Sequence, residues 1–124
     1  MNEFNRKKIG NDAEETARIY LQKQGLILLE RNYRCYSGEL DLIMRDRDMI
    51  VFVEVRSKSR IDYGHPAETI TRAKQKKIIR AATHFLQKKA WLYKVYSRFD
   101  VVAIEYLSDK YKLDWIKNAF LAEN

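Results

Sequence analysis

The chain has 124 residues, which is enough for one domain with a hydrophobic core and too few for two. Cys35 is its only cysteine, so an intrachain disulfide is excluded, and a reducing cytoplasm is expected. The sequence has no long apolar run and no apolar segment near its N-terminus, which disfavours a transmembrane helix and a secretory signal. We therefore expect one cytoplasmic domain over residues 1–124, with no membrane association.

The formal net charge of +7 indicates a polyanionic partner, most simply nucleic acid. A basic protein that is merely soluble has the same composition, so charge alone favours nucleic acid only slightly.

A first helix is predicted from Asn5 to Gln24, with Gly25 as its stop signal. Apolar residues recur on one face at helical spacing, at Ile9, Ala13, Ala17, Tyr20 and Leu21. Glu14 lies at the border of this stripe, so its carboxylate can reach a cleft between the helix and a sheet. An acid at such a border is more often simply solvated.

A strand is predicted from Leu26 to Arg34, followed by a turn at residues 35–38. The stretch from Gly38 to Lys58 is typical of a hairpin, because two alternating runs flank the polar residues 45–48. Alternate side chains on a strand share a face. The charged residues therefore fall into two sets, Glu39 and Asp41 on the first strand, and Glu54, Arg56 and Lys58 on the second.

With the turn centred on residues 46–47, Asp41 is predicted to lie opposite Phe52. Glu39 then lies opposite Glu54, and Asp41 and Glu54 are diagonal neighbours about 7–8 Å apart. Carboxylates gathered on one side of an apolar strand pair repel one another and are costly to bury. A divalent cation bound by their oxygens removes both costs. The alternative is a solvated sheet edge whose acids pair with nearby basic residues.

A loop from Ser59 to Pro66 follows, and its Arg60 is a candidate for contact with substrate, although the loop equally fits a plain connector. A second helix is predicted from Ala67 to about Lys89. Several basic residues lie on this helix, some of them four residues apart, and a phosphate backbone would supply their counter-charge. They are Arg72, Lys74, Lys76 and Arg80. A solvated basic face is the commoner explanation for any one such helix.

Two further strands are predicted, one from Arg98 to Glu105 and one at the start of residues 111–120. Asp100 is interpreted as a structural cap or ion-pair partner. The order α-β-β-β-α-β-β predicts a mixed α/β fold with helices packed on a mixed sheet.

Paired carboxylates that hold Mg²⁺ or Mn²⁺ beside a cationic side chain suit phosphodiester hydrolysis. The sequence lacks a zinc-ligand cluster, a glycine-rich phosphate loop and a Ser-His-Asp signature. A glycosidase also uses two carboxylates, but the basic composition and the short chain disfavour that reading.

Several motifs along nearly the whole chain form a recognisable combination. They are Gly10-x-x-Ala13-Glu14-x-x-Ala17, Glu30-Arg31-Asn32-Tyr33-Arg34, Gly38-Glu39-Leu40-Asp41-Leu42-Ile43, Val51-Phe52-Val53-Glu54-Val55-Arg56, Lys74 with Gln75, and Arg98-Phe99-Asp100-Val101-Val102. In this combination the chain closely resembles the YraN family of small bacterial proteins. That family is assigned to the PD-(D/E)xK, or restriction-endonuclease-like, superfamily and is similar to archaeal Holliday-junction resolvases.

The resemblance implies an αβββαβ core with the active site at the hairpin. It implies that Asp41 is the aspartate of the motif, that Glu54 is its second acid, and that Arg56 stands at the position of its lysine. Glu14 falls where resolvases carry an acid on the first helix. Arginine stays protonated and cannot act as a base, so Lys58 on the same face is expected to assist. Resolvases pair to cut two strands, which implies a homodimer.

The leading hypothesis is a metal-dependent endonuclease acting on DNA, with branched DNA as the expected substrate. Asp41 and Glu54 are the candidate ligands of Mg²⁺ or Mn²⁺, with the Val55 carbonyl and Glu39 as further candidates. Catalytic roles are assigned to Asp41, Glu54, Arg56, Lys58 and Glu14, and nucleic-acid contacts to Arg60, Arg72, Lys74, Lys76 and Arg80. Two alternatives stay open: a nucleic-acid-binding module that retains the nuclease fold without catalysis, and an interaction protein whose basic faces meet an acidic protein.

Overall fold

The computed structural model describes residues 3–58 and 70–122, with side chains described over 12–57 and 70–122. The elements are α1 (Glu3–Lys23), β1 (Ile27–Cys35), β2 (Gly38–Asp46), β3 (Met49–Lys58), α2 (Arg72–Lys88), β4 (Tyr96–Tyr106) and β5 (Tyr111–Phe120). The predicted order of elements and the mixed α/β class with an αβββαβ core are confirmed. The predicted loop at residues 59–66 and the predicted start of the second helix at Ala67 lie outside the described residues.

The five strands form one sheet in the order β1-β2-β3-β4-β5. Neighbouring strands are antiparallel except for β3 and β4, which are parallel. Parallel neighbours need a crossover connection, commonly a helix. The segment between β3 and β4 contains α2, so this helix occurs where the topology requires a crossover.

The two helices cover opposite faces of the sheet. Ala13, Ala17 and Leu21 of α1 are buried with one set of alternating strand residues, which includes Leu42, Met44, Val51 and Val53. The buried residues of α2 pack with the other set, which includes Ile43, Ile50 and Phe52. These α2 residues are Ile78, Ala81, Ala82, Phe85 and Leu86. A sheet covered on both faces needs strands as apolar as β3, which accounts for the near-continuous apolar run from Met49 to Val53.

The predicted register of the hairpin is wrong. Asp46 pairs with Met49, so the two loop residues are Arg47 and Asp48, and Phe52 lies opposite Ile43 and not opposite Asp41. Arg47 adopts a positive φ of 58°, the conformation that two-residue hairpin loops favour. The turn is therefore one residue later than expected, and the predicted opposition of Glu39 and Glu54 is lost with it. Glu39 pairs instead with Arg34 of β1.

Within the described parts of the chain, no helix has the length and apolar character needed to cross a membrane.

Candidate active site

The hairpin opens at the point where the predicted acids lie. Pairing between β2 and β3 extends from Asp46 and Met49 as far as Leu42 and Val53. The next residue on each strand is Asp41 and Glu54 respectively, so the observed register makes these two carboxyls immediate neighbours across the opening. The predicted diagonal relation between them is therefore replaced by a closer one.

At this opening the side chain of Asp41, and not a backbone carbonyl of β2, accepts a hydrogen bond from β3. Its Oδ2 accepts a hydrogen bond from the backbone N–H of Val55 at 2.8 Å. If the ladder continued in register, Val55 would pair with Leu40, and a residue in such a pair carries its N–H and C=O on the same edge of the strand. The Val55 carbonyl consequently faces the same side as Asp41, as its predicted ligand role requires.

Glu54 is buried, with 7% of its surface exposed. Burial raises the pKa of Glu54 to about 8, and the neighbouring negative charge of Asp41 adds to this rise. Burial also raises the pKa of Asp41, while the Val55 N–H and Lys74 oppose that rise. A hydrogen bond between the two carboxyls favours the proton on Glu54. At neutral pH the pair therefore retains a proton that two separate, solvated acids would have lost.

Glu14 of α1 adds a third acid to this neighbourhood. Burial raises its pKa to about 7, with a further contribution from Asp41, while Arg31 lowers it. Its Oε2 is buried and has no hydrogen-bond partner among the described residues. Most buried polar atoms in folded proteins have a partner, so this oxygen is an acceptor to which none of the described residues donates.

The cation beside Glu54 comes from α2 and not from β3. The Lys74 Nζ lies 3.5 Å from Glu54 Oε1. Arg56 is half-buried, and within the described residues its guanidinium forms no ion pair with a carboxylate. The side chain of Lys58 and the whole of Arg60 lie outside the described residues, so their predicted roles stay predictions.

Lys74 is a candidate site residue for which the sequence predicts a role other than contact with the acids. The pattern predicts it as a contact to a nucleic-acid backbone, because it belongs to a run of basic residues on one helix. Its approach to Glu54 depends on how the first turn of α2 lies over the open end of the hairpin. The only signal in the sequence was the order of elements, in which α2 directly follows the strand that carries Glu54.

The remaining candidates lie at the periphery. Glu39 is exposed and lies 3.6 Å from Arg34, between its Oε1 and the arginine Nε, although its charge also contributes to raising the pKa of Asp41 and Glu14. Its role as a ligand stays a prediction. The basic residues Arg72, Lys76 and Arg80 are exposed on α2, which suits contact with a polyanion but does not test it.

The donor atoms fit a hard divalent cation with a partly hydrated shell. In the described ranges no three His, Cys, Asp or Glu side chains form a metal-binding group. Mg²⁺ does not require such a cage, because it usually keeps several waters and binds one or two carboxylates. The carboxylates of Asp41 and Glu54 and the Val55 carbonyl supply oxygen donors on one side of the opening. The unpartnered Glu14 oxygen is a suitable acceptor for a bound water.

Comparison with known proteins gives a consistent family. The family described as "Uncharacterised protein family UPF0102" matches residues 13–104, a range that includes the three acids and Lys74. A UPF0102 protein of Coxiella burnetii strain RSA 331 is 48% identical over 117 residues, covering 94% of this chain and 95% of the relative. One from Nitrosomonas europaea is 49% identical over 111 residues, covering 90% and 92%. One from Clostridium botulinum strain Loch Maree is 44% identical over 116 residues, covering 92% and 94%.

Proposed function

The chain belongs to the UPF0102 (YraN) family, and we propose that this member is a metal-dependent endonuclease that hydrolyses phosphodiester bonds of DNA. The observation that carries the proposal is the pair formed by half-buried Asp41 and buried Glu54, which share one opening in the sheet and have raised pKa values. Two adjacent acids withdrawn from solvent weaken a fold unless a cation compensates them. A perturbed pair of this kind is characteristic of functional sites.

Each acid has a distinct task in the proposed reaction. A divalent cation, Mg²⁺ or Mn²⁺, would polarise a phosphoryl oxygen and lower the pKa of a bound water when present. Asp41 and Glu54 would hold that cation, with the Val55 N–H fixing the orientation of the Asp41 carboxylate. Glu14 would accept a proton from the attacking water, since a pKa of about 7 is close to the value that suits a general base at neutral pH.

The substrate class follows from charge and from resemblance. The exposed side chains of Arg72, Lys76 and Arg80 offer positive charge on the helix that also carries Lys74, and phosphate contacts from such residues supply most of the affinity for nucleic acid. The similarity to resolvases favours branched DNA, action as a homodimer and a cytoplasmic location. Arg60 and Lys58 remain candidates for further contacts.

Cleavage assays test the proposal directly. Purified protein would be incubated with end-labelled four-way-junction and linear DNA in Mg²⁺, in Mn²⁺ and in EDTA, with an Asp41→Asn variant as the control. We expect products in at least one metal, none in EDTA, and a loss of at least about 100-fold in rate for the variant. Absence of cleavage in both metals, or cleavage that survives Asp41→Asn, would reject the enzymatic proposal.

A second candidate function is a nucleic-acid-binding module without catalysis. Two observations favour it: arginine stands at the position of the motif's lysine, and the described residues form no metal group of three or more side chains. In that case DNA binding would be strongly salt-dependent, unaffected by EDTA, and accompanied by no product.

A further inference from the structure

Among the described residues, one cationic side chain lies at contact distance from the pair of Asp41 and Glu54. It is Lys74, which belongs to α2 and not to the strands that carry the two acids. Lys74 Nζ lies 3.5 Å from the Oε1 of Glu54, an atom of a buried side chain. The Lys74 side chain is itself 45% exposed. Its Nζ therefore lies within ion-pair distance of a buried acid, while its side chain as a whole remains partly accessible from solvent.

The first turn of α2 holds Lys74 in this position. Thr71 is the N-cap, and its Oγ1 accepts a hydrogen bond from the Lys74 backbone N–H at 3.1 Å. The Gln75 side chain donates to the Ile70 carbonyl at 3.0 Å, which adds a second restraint to the same turn. The turn has no acidic residue. Glu54 is therefore the acid that Lys74 meets, and the helix terminus adds its own positive dipole beside it.

Arg56 does not share this arrangement. It lies two residues from Glu54 on the same strand, yet within the described residues it makes no ion pair. Lys74, by contrast, lowers the pKa of both Asp41 and Glu54. Among the described residues, the positive charge at contact distance from the acids therefore lies on α2, and not at the position of the motif's lysine on β3.

On the basis of the proposed nuclease function, we propose that Lys74, and not Arg56, is the catalytic cation that contacts the non-bridging oxygens of the scissile phosphate. In the reaction the oxygen of water bonds to phosphorus and the bond from phosphorus to the leaving oxygen breaks. The water gives up one proton, and the leaving oxygen takes one from solvent. Lys74 stays protonated throughout and stabilises the charge that develops on the phosphoryl oxygens.

Four variants separate Lys74 from other basic residues: Lys74→Met, Lys74→Arg, Arg56→Met and Lys88→Met. Lys88→Met is the matched control, because it removes an exposed lysine from the opposite end of the same helix. Two quantities would be measured for each, the single-turnover cleavage rate at saturating DNA and the affinity for Mn²⁺ in the absence of DNA. Thermal unfolding would verify that each variant is folded.

We expect Lys74→Met to lower the cleavage rate by about 100-fold or more, as loss of one donor to a developing charge does. Its Mn²⁺ affinity should be equal or higher, because an ammonium group paired with Glu54 competes with the metal ion. Lys74→Arg should recover most of the rate, since it keeps the charge. Arg56→Met and Lys88→Met should each lose less than about tenfold.

Three outcomes would overturn the role of Lys74. Cleavage by Lys74→Met within about tenfold of wild type rejects it and leaves the nuclease proposal standing. A loss of about 100-fold in Arg56→Met alone transfers the role to that arginine. A fall in Mn²⁺ affinity as large as the fall in rate means that Lys74 only maintains the metal site. Absence of cleavage by the wild type rejects both proposals together.

Discussion

Within the described part of the chain, Asp100 and Glu54 are the buried charged residues, and they differ in the number of hydrogen-bond donors around them. Asp100 accepts hydrogen bonds from the Arg98 Nε at 3.0 Å, the Trp115 indole N–H at 2.9 Å and the Asn118 backbone N–H at 3.1 Å. Among the described residues, Glu54 has Lys74 at 3.5 Å and another acid, Asp41, beside it.

The two acids lie on adjacent strands, with Asp100 paired to Val53, the residue before Glu54. Depth in the sheet therefore does not distinguish them, and the number of donors does. A buried acid whose oxygens are all satisfied from within the chain stabilises the fold. A buried acid that lies beside a second acid and has few hydrogen-bond donors still has oxygen lone pairs that can bind an external cation. We attribute a structural role to Asp100 and a binding role to Glu54 on this ground.

The largest effect that this contrast leads us to expect is on stability. Asp100→Asn removes the buried charge that compensates Arg98, whose side chain is only 10% exposed, so it should lower the free energy of unfolding by about 3–5 kcal/mol. Chemical denaturation of the metal-free protein measures this. Asp46→Asn is the matched control, because Asp46 is the more exposed partner of the same guanidinium, and it should cost about 1 kcal/mol or less.

Mn²⁺ affinity of the folded Asp100→Asn protein should equal that of wild type. A variant that keeps its stability but loses Mn²⁺ binding would reverse the roles that we assign to the two acids.

A smaller effect is expected in the pH dependence of stability. Folding raises the pKa of Glu54 to about 8 and that of Glu14 to about 7, both from 4.5. The folded protein therefore binds more protons than the unfolded chain in this range, and these groups stabilise it fully below about pH 4.5. That contribution is lost as the pH rises through about 7–8. In EDTA, the melting temperature of wild type should fall as the pH rises from about 4.5 to about 8.

Glu54→Gln should remove part of this pH dependence, because an amide does not ionise. At pH 8 the variant should melt higher than wild type by about 3–6 °C, the shift that about 1 kcal/mol produces in a domain of this size. Glu105→Gln is a suitable control, since Glu105 lies on the neighbouring strand with its side chain more exposed. Equal pH profiles for wild type and Glu54→Gln would mean that the carboxyl of Glu54 is not in the strained environment described here.

Much of the fold could be predicted from the sequence, because it depends on local periodicity. The stripe of Ala13, Ala17 and Leu21 on α1 is buried as predicted, and the near-continuous apolar run of β3 is typical of a sheet covered on both faces. Asp100 is confirmed as an ion-pair partner.

The register of the β2–β3 hairpin and the contact of Lys74 with Glu54 could not be predicted from the sequence, for physical reasons. All four residues of Arg45-Asp46-Arg47-Asp48 are polar, so the pattern does not say which two form the loop, and a shift of one residue changes every opposed pair. The choice depends on the positive φ of Arg47. The contact of Lys74 with Glu54 depends on where α2 begins, at Arg72, and on how this helix packs on the sheet, and periodicity encodes neither.

We expect the carboxylates of Asp41 and Glu54 to bind one divalent cation together. Titration of the metal-free protein with Mn²⁺, monitored by calorimetry, tests this with wild type, Glu54→Gln and the Lys88→Met control. We expect wild type and Lys88→Met to bind one Mn²⁺ per chain with equal affinity, more tightly as the pH rises through about 7–8. Glu54→Gln should bind at least about tenfold more weakly. Equal Mn²⁺ binding by wild type and Glu54→Gln, or no binding by either, would contradict the account.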